Sequence, residues 1–368
     1  MLDFIIVGSA QAGLSMAYHL KQMGKSFLVV DKEGKIGESW LSRWDSLTLF
    51  TPTEFNHLEG MEFPAPKGHY PNKYEVAAYF ESYVEKFEIP IQFNTLITSI
   101  EKKKGVFKLN YDNGELNCLN VIIATGPFHT PYTPPFSIKI NKKVKQIHSN
   151  YYKNLEQLQE GDALVVGGGD SGFQILDEVS KHGKKTYFAG PSDVKTLPQE
   201  ILGKTLWWWF TITGFLSSSK HSLIGKAIAN RPQPIIGIDV KEILNRKNVV
   251  QVGRALSADE KDITFENTEV STIKNIVWAT GYRPNFNWIQ GLELDKNGYP
   301  KNQRGVSAIK GLYFIGLPWL HTRGSATLGG VKKDAAYLSG IIEKQETPIF
   351  PEPSKIKKNR FLLIIIFA

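Results

Sequence analysis

The chain has 368 residues, 42% of them hydrophobic and 22% charged, a globular composition with length enough for two domains. Its net charge of +8 is scattered over short runs such as Lys102-Lys103-Lys104 and Lys142-Lys143, so no nucleic-acid face is expected. The single cysteine, Cys118, excludes an internal disulfide framework and fits a reducing compartment.

In chain order, Phe4–Val7 is an apolar run that reads as a strand, followed by a Gly-containing turn and the helical pattern Gly13–Met23. No basic region precedes Phe4, so a signal peptide is not expected and a cytoplasmic placement is. Gly24 suits a helix end, and Ser26–Val30 reads as a second buried strand, completing a β-α-β unit with a parallel sheet. Lys73–Phe87 is a helix; Ile97–Lys102, Val106–Asn110 and Leu119–Ala124 are strands, with a turn at Asp112-Asn113-Gly114.

The same grammar then restarts. Ala163–Val166 is apolar, Gly167–Gly172 a turn, Ser171–His182 a helix, Gly183 its stop and Thr186–Ala189 the next strand. Asn275–Gly281 (NIVWATG) echoes Asn120–Gly126 (NVIIATG), so each domain is expected to end in a strand and an Ala-Thr-Gly turn. Leu206-Trp207-Trp208-Trp209-Phe210 leaves four readings open: core packing of an inserted helix, an apolar substrate channel, a membrane interface or a dimer contact. The longest apolar runs, including Phe361–Ala368, fall short of the ~18 residues that span a bilayer.

Gly8-Ser9-Ala10-Gln11-Ala12-Gly13 lies between strand and helix, where a dinucleotide fingerprint belongs. The first Gly permits the tight turn, the middle position lets backbone approach a pyrophosphate, and the last lets helix pack on strand. Ala10 replaces the middle Gly. Asp31 ends the second strand about 20 residues on, where a carboxylate holds ribose hydroxyls, with Lys32 beside it. Gly167-Gly168-Gly169-Asp170-Ser171-Gly172 carries all three glycines after its own strand. The strand end Phe188–Ser192 has no acid to repel a 2′-phosphate, so the second nucleotide reads as NADPH, with Lys184, Lys185 and Lys195 as candidate positive charge.

With both turns placed, the sequence resembles the class B flavoprotein monooxygenases and flavin-containing monooxygenases, and in particular their short CzcO-like bacterial members. The likeness runs from about Asp3 to Ile342, through GSAQAGL, IGESWLSRWDSLTLFTP, GHYPNKYEVAAYF, ATGPFHTPYTPPF, QIHSNYY, VVGGGDSGFQI, VWATGYRPNF and GLYFIGLPWLHTRGSATLGGVKKDA. It implies an α/β protein with two Rossmann-like dinucleotide-binding domains, the second inserted in the first. The expected boundaries are 1–158 and 276–347 for FAD, 159–275 for NADPH, and 348–368 for a tail. It places Gly37, Ser39, Trp40 and Arg43 near the flavin, and Gln11 and Ala12 on the pyrophosphate. Gly316 would stand at the ribityl chain, and Arg323, Ser325 and Ala326 at the ring. Ala124, Thr125 and Gly126 would line a cofactor site, and Thr280, Gly281, Tyr282 and Arg283 would stand between the two cofactor sites. His148, expected on the hinge, and Arg323 are the candidate catalytic residues.

The implied chemistry is hydride transfer from NADPH to FAD, oxygen addition at the flavin C4a position, and attack of the peroxide on a nitrogen, sulfur or carbonyl centre of a small substrate. Two departures are visible: NKKVKQI precedes His148, so only the histidine end of the monooxygenase fingerprint matches, and Phe50 stands where many relatives carry Asn. A disulfide reductase would need two nearby cysteines; a flavin- and NADPH-binding redox sensor linked to ion transport is the alternative from another class. No pair of histidines has metal-ligand spacing, so no metal is expected. A homodimer is left open.

Overall fold

The computed structural model describes residues 1–191, 193–229, 233–270 and 272–344. Ser192 and the expected tail, 348–368, lie outside these. In chain order the elements used below are β1 (Leu2–Val7), α1 (Gln11–Gln22), β2 (Phe27–Val30), α2 (Lys73–Phe87), β3 (Ile91–Gln92), β4 (Ile97–Lys103), β5 (Val106–Tyr111) and β6 (Gly114–Ile123). There follow β7 (Lys145–His148), β8 (Asp162–Val166), α3 (Asp170–Lys181), β9 (Thr186–Ala189), α4 (Leu206–Ile212), β10 (Val249–Gln251), β11 (Ile273–Trp278), β12 (Leu312–Phe314) and α5 (Lys332–Lys344).

Two parallel sheets carry the molecule. In the first, the order β12-β6-β1-β2-β3 is parallel throughout, and the antiparallel hairpin β4-β5 extends from β6. Its strands read as unbroken apolar runs because both faces are covered. Phe4, Ile6, Val29 and Ile122 face one core with α1, α2 and α5, while Ile5, Val7, Val30 and Ile123 face a second core over Phe286–Leu320. The second sheet, β10-β9-β8-β11-β7, is likewise parallel. Since β12 returns to the first sheet after β11 has closed the second, one nucleotide-binding domain is inserted in the other, as the resemblance implied.

The sheets move both expected boundaries outward. β7 pairs with β11, so the second domain takes up Lys145–His148, before the expected start at 159. β11 runs to Trp278, past the expected end at 275. A boundary read at the Gly-rich turn misses these because β7 is a short, half-polar strand whose place is fixed only by its partner across the chain. β6 also starts at Gly114 rather than Leu119, because its first half is the solvent-facing arm of a hairpin with β5.

The paired strand ends meet the two turns in the same way. Ala124 N donates to Val7 O (2.8 Å) and Ala279 N to Val166 O (2.8 Å), which brings each Ala-Thr-Gly turn against the Gly-rich turn of its own domain. A Cβ on Gly13 would lie 1.8 Å from the Gly8 carbonyl oxygen, and one on Gly172 1.9 Å from that of Gly167. Gly13→Ala and Gly172→Ala should each destabilise the protein by ~3 kcal/mol or more, while Ala10→Gly should stay within about 1 kcal/mol of the parent. Denaturant midpoints measure both; an unchanged midpoint for Gly13→Ala would contradict this packing.

Candidate active site

The first turn places its residues by backbone geometry alone. Gly8 has φ +109° and a Cβ there would stand 2.7 Å from Ala124 O, so no other residue fits. Ala10, the helix N-cap, has φ −79° and ψ −170°, an extended conformation open to any residue, which is why the middle glycine is dispensable. The free amides of Gln11, Ala12 and Gly13 open α1. Asp31 bends over this turn: its Oδ2 accepts from Ser9 N and Ser9 Oγ (both 2.6 Å), and its Oδ1 from Glu33 N (3.0 Å). Oδ1 therefore keeps one lone-pair direction for a ribose hydroxyl. Lys32 is exposed beside Glu33.

Other sequence-named residues gather on the same turn. Gly316, with φ +76°, would carry a Cβ 2.8 Å from that of Ala12, so the closing segment lies directly on the start of α1. Gln11 Nε2 donates to Ala326 O (3.4 Å), and buried Ser325 Oγ accepts from the amides of His321 and Thr322 (3.0 Å each), fixing the turn Arg323–Ala326. Gly37 begins the short helix Glu38–Leu41 in a left-handed conformation against Ala77 of α2; Ser39 on it is exposed and Trp40 half-buried.

The second turn repeats the first. Gly167 has φ +119° with Ala279 O 2.2 Å from a built Cβ, whereas Gly169, the N-cap of α3, faces open space. Asp170 and Ser171 form the first turn of α3. Gly126 and Gly281, with positive φ, also face open space, and Thr125 and Thr280 hold these turns through His129 Nε2 (3.0 Å) and Tyr132 O. The structure thus leaves room at the two turns where a dinucleotide backbone would pass and closes main chain on main chain where it would not.

Between the domains a polar junction ties four segments. Arg43 Nη1 donates to Asn150 Oδ1 (3.1 Å) and to the Tyr282 hydroxyl, its guanidinium lies 5.2 Å from the Phe128 ring centroid, and Tyr282 also donates to Asn150 Oδ1 (3.0 Å). His148, at the end of β7, is on the hinge: its Nε2 donates to Gly281 O and its Nδ1 accepts from Asn150 N (3.0 Å each). Burial holds its pKa below the ordinary value, so it is neutral, and both ring nitrogens are spent on main chain. It has no nitrogen left for a substrate proton.

Lys73, which sequence reasoning missed, holds this junction from below. It is 1% exposed and its Nζ donates to Leu41 O, Arg43 O and Asp45 Oδ1 (3.2, 2.6 and 2.7 Å). Only its place at the head of a helix was legible; three carbonyl and carboxylate partners contributed by a distant loop were not.

Arg323 is half-buried and, among the described residues, has no hydrogen bond or ion pair. It faces Asp170 across the two domains. Burial raises the Asp170 carboxyl to about 6, and the Arg323 charge offsets only part of that. Lys184 and Lys185 sit at the wrong end of β9 to meet a 2′-phosphate. Lys184 Nζ donates to Gln159 O (3.0 Å), and Lys185 lies by Asp162 at the start of β8, a strand length from Ala189. Lys195 is exposed after the strand end. Among the described residues no cluster of three metal-ligating side chains occurs. The Trp run divides by residue: Trp207 is buried, stacked 5.8 Å from Phe50 with its Nε1 on Phe50 O (2.9 Å), while Trp208 is exposed.

Residues 5–200 match the family model for pyridine nucleotide-disulphide oxidoreductases. An uncharacterized CzcO-like oxidoreductase of Geobacillus kaustophilus is 42% identical over 92% of this chain and 97% of its own length. A probable indole-3-pyruvate monooxygenase of Arabidopsis thaliana is 29% identical over 93% of this chain and 89% of its own. The solved flavin-containing monooxygenase of Stenotrophomonas maltophilia superposes with a TM-score of 0.78 at 24% identity, over 94% of this chain and 98% of that one. Two dinucleotide turns on inserted parallel sheets and this likeness lead to one conclusion: the chain belongs to the pyridine nucleotide-disulphide oxidoreductase family, whose members are FAD- and NAD(P)H-dependent, and is an oxidoreductase of the CzcO-like kind.

Proposed function

We propose that this protein is an NADPH-reduced FAD monooxygenase acting on a small organic substrate at a nitrogen, sulfur or carbonyl centre. The first turn with Asp31, Gly316 and Arg323–Ala326 holds FAD, and the second turn holds NADPH. The observation that carries oxygenation is Cys118. It is the only cysteine of the sequence, it is fully buried in β6, and burial pushes its thiol up to about 12. A family named for disulfide chemistry needs a dithiol to take electrons from the flavin, and this chain has none to offer. This reading assigns the electrons to molecular oxygen, and a relative named as a probable indole-3-pyruvate monooxygenase supports it.

When bound, the flavin supplies hydride acceptance and oxygen activation. The chain's own residues orient and seal. Arg43, Asn150 and Tyr282 fix the junction through which both cofactors approach, held by Lys73. His148 is a positioning residue that joins the hinge to Gly281. Arg323 offers an unspent guanidinium to an anionic group at the flavin ring, and Trp207 stacked on Phe50 forms an apolar wall.

Oxygen accounting tests the proposal. With an accepted substrate, most NADPH consumed should appear as oxygenated product and little as hydrogen peroxide; peroxide matching NADPH across a panel of amines, sulfides and ketones would overturn it. Gly169→Val should keep the fold and the yellow colour but slow reduction by NADPH at least tenfold, because its side chain enters open space that only a ligand uses. NADPH should reduce the flavin faster than NADH; equal rates would remove Lys195 from 2′-phosphate recognition.

The carboxyl of Asp170 sets the pH behaviour. Ionised, it opposes an anionic dinucleotide at the head of α3; protonated, as pH falls through about 6, it does not. KM for NADPH should therefore fall roughly three- to tenfold between pH 7.5 and 5.5. In Asp170→Asn it should be low and flat over that range. A parallel pH slope in the variant would remove Asp170 as the cause.

A further inference from the structure

We propose that the segment Leu202–Lys226 docks this protein onto an anionic lipid bilayer surface. Leu202 is 87% exposed at the tip of the tight turn joining Glu200–Ile201 to Lys204–Thr205, with φ +50°. A leucine held in the left-handed region with its side chain in water gains nothing from the protein that would offset either cost. Lys204 follows it, and its ammonium lies 5.8 Å from the centroid of the exposed Trp208 ring. Ile212, 56% exposed, is one helical turn beyond Trp208 on the same face of α4. The next short helix, Leu223–Ala229, opens with Leu223 (80% exposed) and Ile224, and carries exposed Lys226.

Charge selects the partner. Between Glu200 and Asp239 the sequence contains no Asp or Glu, while exposed Lys204 and Lys226 fall inside that stretch. Protruding aliphatic and Trp side chains with lysines interleaved and no acid match the boundary between headgroups and acyl chains of an anionic membrane. Leu202 and Leu223 stand at the turn and the helix start that flank the exposed Trp208 and Ile212 of α4. The inward side of the same segment is already used: Leu206, Trp207 and Ile236 pack with Phe50, Phe55 and Phe210. Among the described residues no helix is long and apolar enough to cross a membrane, so the contact is peripheral.

Co-sedimentation of the full-length FAD-loaded protein with vesicles tests this. Vesicles of equimolar phosphatidylcholine and phosphatidylglycerol should pellet the protein, pure phosphatidylcholine vesicles should pellet little, and added salt should release it. The double variant Leu202→Asp, Leu223→Asp should partition at least about tenfold more weakly while flavin content and NADPH oxidation stay unchanged. Equal partitioning of parent and variant would overturn the proposal, because the binding would then lie elsewhere, for example in the basic and apolar residues 355–368. It would also be overturned if neither vesicle bound and sedimentation equilibrium showed a dimer that the same substitutions dissolve.

Discussion

Main chain packed directly on main chain, with no side chain between, is the constraint from which the two cofactor turns follow. At Gly8 the carbonyl of Ala124 occupies the place of a Cβ, and at Gly167 that of Ala279 does the same. At Gly13 and Gly172 the carbonyl of the first glycine of the turn lies where a side chain would begin. This contact sets the angle at which α1 and α3 leave their strands, and so aims their free amides at one region each. The middle position of the motif, Ala10 in one turn and Gly169 in the other, is extended in both and so accepts either residue.

The two domains are tied to each other through the junction of Arg43, Asn150, His148 and Tyr282. These residues come from the first domain, the hinge into the second and the hinge out of it, and their bonds are mutual. Two buried side chains brace the junction: His148, kept neutral by burial with a fixed pattern of donation, and Lys73, whose Nζ has three acceptors inside the protein. Only His148 of the four is buried, while Arg43, Asn150 and Tyr282 are half-buried, so the network is fixed by its mutual bonds rather than by enclosure.

Burial also separates reactive from inert groups. Cys118 lies among β-sheet apolar side chains, and the cost of a buried thiolate removes it from redox chemistry. The same effect raises the Asp170 carboxyl to about 6. The difference is position: one group is sealed in a core and the other opens on the space between domains.

The sequence by itself determined the repeated β-α-β grammar, both glycine turns, Asp31 and the lone cysteine, because each is a local pattern whose physics acts within a few residues. α2 was legible to the residue, since Asn72 and Glu75 form a reciprocal cap at its start. What only the tertiary structure decided involves partners far apart in the chain. β7 joins the second sheet because β11 offers an edge more than a hundred residues later, and no property of Lys145–His148 announces it. His148 was visible as a hinge residue, but that both its nitrogens are spent on main chain depends on where Gly281 and Asn150 come to rest. Lys184 and Lys185 looked like phosphate ligands by their closeness in sequence to β9; a strand has two ends, and these lysines stand at the one away from the turn. The approach of Asp170 to Arg323 exists only when one domain is folded against the other.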